Sequence, residues 1–134
     1  MSYDRFPYVV ADLDNHLSGE QTVTACQSNR LVLVLRMDFT SARNARRLID
    51  FLVSEGLEHE RLRVVVNRAG EHREFKRQDV ERMLGLDVHQ LLPEDPRLIN
   101  QAMNSGIPVV RHKPRARFSR EVSRLAASLN GESH

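Results

Sequence analysis

The chain has 134 residues, of which 40% are hydrophobic and 28% are charged, and its formal net charge is +2 at pH 7. A chain of this length fits one domain, residues 1–134, that buries about two thirds of its unfolded surface. The apolar runs are too short to span a membrane, and no apolar segment typical of a signal peptide follows Met1.

The cysteine content indicates the cellular compartment, and the distribution of basic residues indicates a candidate binding surface. Cys26 is the only cysteine, so no internal disulfide can form, and we expect a cytoplasmic protein with a buried, inert thiol. Basic residues are densest between Arg111 and Arg120. Such a run is usually a solvated face, but it is also a candidate for weak binding to an anionic surface, whether phosphate, an acidic partner or a membrane.

Strands and helices alternate from the start of the chain. The apolar run from Tyr8 to Ala11 predicts a first strand that ends at Asp12. Ser18, with Gln21 three residues later, predicts a capping box at the start of a helix. The run from Leu31 to Leu35 is continuously apolar, which is typical of a strand covered on both faces of a sheet.

The middle of the chain repeats this alternation. A helix is predicted from Ser41 to Glu55, because apolar residues recur on one side of it and arginines on the other. Gly56 suits its C-cap. Leu62 to Val66 predicts the third strand, and a short helix from Gln78 to Leu84 follows a polar loop.

The last part of the chain continues in the same way. Val88 to Leu92 predicts a fourth, short strand. Asp95 and Pro96 are typical of a helix start, with Asp as N-cap and Pro at the first helical position, and this helix should end near Gly106. The final helix is predicted to be capped by Ser119. Its apolar side consists of Phe118, Val122, Leu125 and Leu129.

This alternation predicts an α/β fold with three layers: a mostly parallel sheet with helices on both faces, joined by right-handed crossovers. Ligands of such sheets bind beyond the carboxyl ends of the strands. The polar residues or prolines that follow the predicted strands include Asp12, Asn67, Arg68, Pro93, Glu94 and Asp95. We expect them to gather along one edge of the sheet.

These residue types suit the parts of a nucleotide site. A carboxylate such as Asp12 at a strand tip can hold Mg²⁺. The amide of Asn67 offers a donor beside an acceptor, which matches the N6 and N7 edge of adenine. Pro93 offers a flat apolar wall to a base. Each residue taken singly is also an ordinary strand end that faces water, so only their convergence favours a site.

Four stretches of the sequence occur in the order found in the second half of MinD/ParA-type ATPases. They are FPYVVADLDNHLS, RLVLVLRMDFTSARNARRLIDFL, LRVVVNRAG and FKRQDVERMLGLDVHQLLPEDPRLINQAMNSGIPVV. Residues 6–129 resemble that family, and in particular its CpaE/TadZ branch of pilus-assembly localisation proteins. The resemblance implies a partial P-loop NTPase-like fold.

The resemblance also implies a role for each candidate residue. Asp12 matches the switch II aspartate, which lies near the magnesium ion and the γ-phosphate. Asn67 matches the asparagine that recognises adenine, and Arg68 matches its usual basic neighbour. Pro93 and Asp95 match the P-x-D turn, whose backbone lies beside the base. ATP or ADP with Mg²⁺ is therefore the implied cofactor.

The sequence departs from the family at two points. Asp14 stands where the pilus-assembly branch commonly has a proline, which weakens the inference about switch II. No glycine of the chain lies in a phosphate-binding loop of the form G-x-x-x-x-G-K-[ST], and in the family this loop lies upstream of the matched region. Positioning and charge neutralisation dominate phosphoryl transfer. We therefore do not expect the chain alone to bind ATP, ADP or Mg²⁺ or to hydrolyse ATP.

Other kinds of site have little support. No pair of histidines has helical i, i+4 spacing with a third ligand nearby, which disfavours a zinc site, and no G-x-S-x-G motif is present. With two tyrosines, five phenylalanines and no tryptophan, the chain has little material for stacking bases, so no dedicated nucleic-acid site is expected.

Two functions remain open. In the first, the chain is part of a nucleotide-dependent localisation or assembly factor for pilus or secretion machinery, dimeric when complete and peripheral to the inner membrane through its partners. In the second, it is a non-enzymatic interaction or scaffold module of the same fold. That module would bind a protein partner, or itself, through a sheet edge left bare by the absence of the family's central strand.

Overall fold

The computed structural model describes residues 8–13, 16–69 and 75–131. Its elements are α1 Gly19–Gln27, β1 Leu31–Arg36, α2 Phe39–Ser54, β2 Leu62–Ala69, α3 Arg77–Leu84, β3 Val88–Pro93, α4 Pro96–Ser105, α5 Val109–His112 and α6 Arg117–Gly131. A short 3₁₀ turn, His59–Arg61, precedes β2. Asp14, Asn15 and Gly70, which lie in segments discussed above, fall outside the described residues.

The three strands form a parallel sheet in the order β1-β2-β3. β1 and β2 pair in unbroken register, which ends with Arg36 opposite Asn67. The register between β2 and β3 shifts twice, and the second shift lies between Val66 and Ala69, which is opposite Pro93. The predicted α/β class with a parallel sheet is therefore confirmed.

The central strand, β2, is buried on both faces. Val64 and Val66 belong to the main hydrophobic core beneath α2 and α3, whereas Val65 points to the opposite face and is 0% exposed. The other members of the main core are Leu35, Met37, Ala42, Ala45, Ile49, Leu62, Val80, Leu84 and Val88. This packing explains why β2 contains an unbroken run of three valines, Val64 to Val66, before Asn67.

Helix α6 covers the opposite face at β3. Gln90 lies opposite Val65 in the ladder, and its Nε2 donates to the backbone carbonyl of Glu121 and, at 3.1 Å, to Oε2 of the same residue. A ring nitrogen of His89 lies 2.9 Å from the Ser128 hydroxyl oxygen. The sheet therefore has helices on both faces, as the sequence predicted.

The cover on this second face does not extend fully over β1. Leu35 lies in the main core, so the alternation of side chains along the strand points Val34 to the second face. Val34 is 55% exposed, although Val65 beside it is fully buried. β1 is also an outer strand of the sheet within the described residues. Val34 is thus accessible to solvent, and no strand in the described ranges pairs with the outer edge of β1.

The predicted first strand is wrong. Tyr8 to Ala11 has no regular structure, and Val10 is 95% exposed. A strand is stable only when neighbouring strands satisfy its backbone groups, and no ladder in the described ranges includes this run. The four predicted strands are therefore reduced to three.

The predicted cap of the last helix is also wrong. Helix α6 begins at Arg117, so Ser119 lies inside it, and the Ser119 side chain is fully buried. Its hydroxyl group donates to the carbonyl oxygen of Val109 at 3.2 Å, in the short helix α5, which the sequence did not predict. The serine therefore joins two helices rather than starting one.

Other helix ends follow the sequence closely. Ser18 Oγ accepts a hydrogen bond from the backbone N–H of Gln21 at 3.3 Å, and Gly85 ends α3 in the left-handed conformation with φ of 67°. Helix α2 begins two residues before the predicted start, because Asp38 caps it by accepting from the Ser41 N–H at 2.7 Å. In the described part of the chain, no helix is both long and apolar enough to cross a membrane.

Two side chains of α3 hold the first residue of β3. Glu81 Oε2 accepts from the backbone N–H of Val88 at 2.8 Å, and Arg77 donates to the Val88 carbonyl oxygen at 2.6 Å. The Arg77 and Glu81 side chains also form an ion pair at 3.7 Å. Both backbone polar groups of Val88 are therefore satisfied by the preceding helix.

We expect Glu81→Ala to lower the free energy of unfolding by about 1–3 kcal/mol, because the partly buried Val88 N–H loses its acceptor. Arg82→Ala is the control, since the Arg82 side chain is 78% exposed and pairs only with Asp79, and its effect should stay below about 1 kcal/mol. Urea unfolding followed by circular dichroism measures both values. Equal losses in the two variants would contradict a specific role for Glu81.

Candidate functional site

The carboxyl ends of the three strands meet at one rim of the sheet. Arg36 at the end of β1 lies opposite Asn67, and Ala69 at the end of β2 lies opposite Pro93. The backbone N–H of Glu94 donates to the Ala69 carbonyl oxygen at 3.2 Å, which extends this contact beyond β3. The structure therefore places Asn67, two residues before the end of β2, and Pro93, at the end of β3, at the same rim on neighbouring parallel strands.

Asn67 and Arg68 form a local turn at this rim. Asn67 Oδ1 accepts a hydrogen bond from the backbone N–H of Arg68 at 2.9 Å. Arg68 has φ of 56°, a left-handed conformation that costs about 1–2 kcal/mol for a residue with a side chain. Because its oxygen is engaged in holding this turn, the Asn67 side chain offers mainly its NH₂ donor to a ligand. The Arg68 side chain is exposed.

Asp95 has a structural task at the rim. It is the N-cap of α4, and its Oδ1 accepts from the Leu98 N–H at 3.2 Å. Pro96 occupies the first turn of the helix, as predicted. The carboxylate of Asp95 is therefore directed at the helix N-terminus, while the half-buried Pro93 closes the end of β3.

Glu94 is a rim residue to which the sequence analysis assigned no role of its own. It lies between Pro93 and Asp95, and its Oε2 is buried without a hydrogen-bond partner. Buried carboxylate oxygens are nearly always hydrogen-bonded in folded proteins. The available signal was a carboxylate as the middle residue of the P-x-D turn, which the sequence reasoning treated as a spacer.

Asp12 is not placed on a strand. It is exposed in the irregular segment 8–13, next to Leu13, which packs against the small hydrophobic cluster between α1 and α2. Its role at a magnesium site stays a prediction. Within residues 8–13, 16–69 and 75–131, no cluster of three or more His, Cys, Asp or Glu side chains is arranged to hold a metal ion.

A surface pocket of about 420 Å³ lies beside Asp95. Lys113 and Arg115, two members of the basic run, line it together with Leu98, Pro114 and Ala116. The basic side chains from Arg111 to Arg120 are exposed, and none has an ion pair with a carboxylate in the described ranges. A positive surface therefore lies near the rim, and its weak binding to an anionic surface stays a prediction.

Together, the parallel sheet and the helices on both faces define an α/β domain with a polar rim at the carboxyl ends of its strands. No protein-family model matches the chain. Three solved structures share its fold. The cell division ATPase MinD of Pyrococcus furiosus is 21% identical and has a TM-score of 0.79, and the match covers 96% of this chain and 53% of that one.

The other two structures agree with this result. The ParA family ATPase of Chlorobium tepidum is 18% identical with a TM-score of 0.76, over 82% of this chain and 46% of that one. The septum site-determining protein MinD of Pyrococcus horikoshii, solved in complex with Mg-ADP, is 20% identical with a TM-score of 0.73, over 92% of this chain and 51% of that one.

Two curated relatives are similar in sequence. The chain is 25% identical to the septum site-determining protein MinD of Thermotoga maritima over 132 residues, 95% of this chain and 48% of that protein. It is 29% identical to the chloroplastic minD homologue of Arabidopsis thaliana over 113 residues, 80% of this chain and 33% of that protein. The chain is thus similar in sequence to MinD proteins over most of its length and shares the fold of the MinD and ParA family structures, and it spans a third to a half of the length of these two relatives.

The structural task of Asp95 can be tested by substitution. We expect Asp95→Ala to lower the free energy of unfolding by about 1 kcal/mol, because the N-cap of α4 is lost. Asp95→Asn keeps a capping oxygen and should retain nearly all of the stability. Urea unfolding of both variants provides the measurement. An unchanged stability in Asp95→Ala would mean that the carboxylate is free for a ligand.

Proposed function

We propose that this chain forms the base-recognition side of a nucleotide site in a MinD/ParA-like localisation or assembly factor. The observation that carries the proposal is the placement of Asn67, near the end of β2, and Pro93, at the end of β3, at the carboxyl rim of one parallel sheet. The Mg-ADP complex of the Pyrococcus horikoshii protein, which has the same fold, supports an adenine nucleotide as the ligand. The septum-site role named for the relatives supports a role in positioning within the cell.

The residues of this chain suit recognition of the base better than binding of the phosphate groups. The free NH₂ group of Asn67 can donate to a ring nitrogen, and Pro93 provides an apolar wall. Asp12 is the candidate for the magnesium side, but no metal-binding cluster surrounds it in the described part of the chain. The sequence holds no phosphate-binding loop, so ATP or ADP with Mg²⁺ is the cofactor of a larger site.

A narrower form of the proposal concerns the cellular process. The resemblance of the motifs to the CpaE/TadZ branch favours pilus or secretion machinery, with the complete factor acting as a dimer in the cytoplasm, peripheral to the inner membrane through partners. In this form the chain by itself does not turn over ATP, since nothing in it neutralises the transferring phosphate. Steady release of phosphate by the purified chain would refute that part.

Base recognition can be measured with adenosine, which needs no phosphate site. We expect adenosine to shift the amide resonances of Asn67, Glu94 and their neighbours in a protein-observed NMR titration. Asn67→Ala should weaken this binding by about tenfold, the effect of losing one hydrogen bond. Asn104→Ala, which changes an exposed asparagine on α4, serves as the control and should bind as the unchanged chain does.

The titration also has an outcome that refutes the proposal. If adenosine shifts no resonance of the rim at any accessible concentration, the rim is not a base site. Equal weakening by Asn67→Ala and Asn104→Ala would show that the effect of the first substitution is not local.

A second function is favoured by the accessible edge of β1. Val34 is 55% exposed on an outer strand whose backbone edge is unpaired in the described part of the chain. Exposed, flat, apolar edges of this kind pair with other chains. We propose that this edge is an interaction surface on which a second copy of the chain docks, as a scaffold module would.

Light scattering coupled to size-exclusion chromatography tests this second function. We expect the unchanged chain to form dimers as its concentration rises, because pairing covers both β1 edges. Val34→Lys should shift the chain toward the monomer, since a charge would be buried in the contact. Val23→Lys is the matched control on α1, where Val23 is 53% exposed, and should leave dimers intact. If the unchanged chain stays monomeric at high concentration, the proposed docking of a second copy on β1 is contradicted.

A further inference from the structure

Residues 96–120 contain no aspartate or glutamate. This stretch holds six of the chain's 20 lysines and arginines and none of its 18 acidic residues, so its formal charge is +6. Because the whole chain carries +2, the remaining residues together carry −4. Helices α4 and α5 and the start of α6 lie in this stretch, and α5 contacts both of the others. The positive charge is therefore concentrated in one helical part of the fold.

An apolar cavity of about 340 Å³ lies at the C-terminal end of α4. Among the described residues its lining is apolar throughout and consists of Ile99, Ala102, Met103, Gly106, Ile107, Pro108 and Val109. Met103 is 74% exposed and Ile107 is 44% exposed, although both side chains are large and hydrophobic. Single exposed hydrophobic residues are ordinary, but a cluster of them around a concave surface is typical of a binding site.

This apolar cavity and the pocket beside Asp95 lie next to each other along α4. Ala102 lines the first and Leu98 the second, and residues four apart on a helix lie on the same side, with about 5–6 Å between their Cβ atoms. The pocket carries Lys113 and Arg115, and its carboxylate, Asp95, already accepts from the Leu98 N–H. We call the two cavities together the α4 groove. It has an apolar end and a positively charged end.

We propose that the α4 groove is a docking surface for an acidic amphipathic helix of a partner protein. Apolar side chains of the partner helix fill the cavity beside Met103 and Ile107, and carboxylates next to them approach Lys113 and Arg115. The formal charge of +6 makes an acidic partner complementary and a basic one repelled. Helices that dock in grooves use anchors at positions i, i+4 and i+7, and α4, with 10 residues, offers a groove about 15 Å long.

The shape and composition of the groove favour a helix over other anionic ligands. An extended peptide binds at a free strand edge, whereas helices and the residues that connect them form this surface. A nucleic acid binds mainly through its phosphates, which would leave the apolar end of the groove unused. A bilayer receives side chains that protrude from a protein, whereas a concave cavity receives side chains from its partner.

A synthetic helical peptide is the probe for this surface. It has about 14 residues and is roughly 21 Å long, with leucines at positions i, i+4 and i+7 and glutamates on both sides of them. In an NMR titration of the whole chain we expect it to shift the amide resonances of Met103, Ile107 and Lys113. A peptide of the same composition in scrambled order lacks the apolar stripe and should bind about tenfold more weakly. Equal binding of the two peptides, or no shift at the α4 groove, overturns the proposal.

The charged end of the groove is tested by reversing two charges. The double substitution Lys113→Glu and Arg115→Glu should weaken binding of the probe by about tenfold, because two attractive charges become repulsive. Arg43→Glu with Arg47→Glu is the matched control, since both arginines are exposed on α2 and the net charge changes by the same amount. A loss of equal size in the control would mean that only the net charge of the chain matters, which contradicts a docking surface at α4.

The apolar end is tested by Met103→Gln, which keeps the length of an exposed side chain and should leave the Tm unchanged. We expect the probe to bind this variant about fivefold more weakly, because the contact of Met103 with the leucines is lost. Val23→Gln is the control on α1, where Val23 is 53% exposed, and should bind the probe as the unchanged chain does. Full binding by Met103→Gln would show that the apolar end takes no part, and the proposal would be wrong.

Two further probes decide between a helix and the other anionic ligands. They are vesicles of phosphatidylglycerol and a short DNA duplex. We expect neither of them to shift or broaden the resonances of Met103 and Ile107, whereas the peptide does. If either one affects these two residues, the groove is not specific for a helix and the proposal is overturned. None of the substitutions changes Asn67, Pro93 or Val34, so every result leaves the two functions proposed above unaffected.

Discussion

The parallel pairing of β1, β2 and β3 is the constraint on which the other features depend. β2 is central and its valines are buried on both faces, so its direction and register are fixed by the core rather than by its loops. Because the strands run in the same direction, the residue that ends β2 and the residue that ends β3 must reach the same rim. Ala69 and Pro93 are neighbours for this reason, although they are far apart in the chain, and Asn67 lies two residues before Ala69 in the same strand.

The rim shows how structural and ligand-binding tasks are divided among similar side chains. Asn67 holds a left-handed turn through its oxygen and keeps its donor, whereas Asp95 begins a helix. Glu94 has neither of these tasks, and its buried oxygen is left unpaired. A buried carboxylate oxygen without a hydrogen-bond partner lowers the stability of the fold unless another group donates a hydrogen bond to it.

The outer strand β1 differs from β2, because one of its apolar side chains is exposed rather than buried. Its inner side chains pack in the main core, but Val34 and the free edge meet solvent in the part of the chain that the structure describes. The solved structures with this fold are about twice as long as the region matched. The proposed base site and the proposed docking surface are compatible, because the rim and the edge of β1 are different surfaces of one sheet.

Local signals in the sequence were sufficient for most of the fold. Apolar runs gave the three strands of the sheet, and capping residues such as Ser18, Asp95 and Gly85 marked helix ends, because these features depend on neighbours within one or two turns. The same local reasoning placed Asn67 and Pro93 at strand ends. It failed for Tyr8 to Ala11, because an apolar run becomes a strand only when another strand pairs with it. It also failed for Ser119, whose hydroxyl group bonds to the carbonyl oxygen of Val109 in α5. The sequence thus determined most of the segments that form helices and strands, whereas the tertiary structure decided which apolar runs pair as strands and which polar atoms stay unpaired, because both depend on contacts between distant residues.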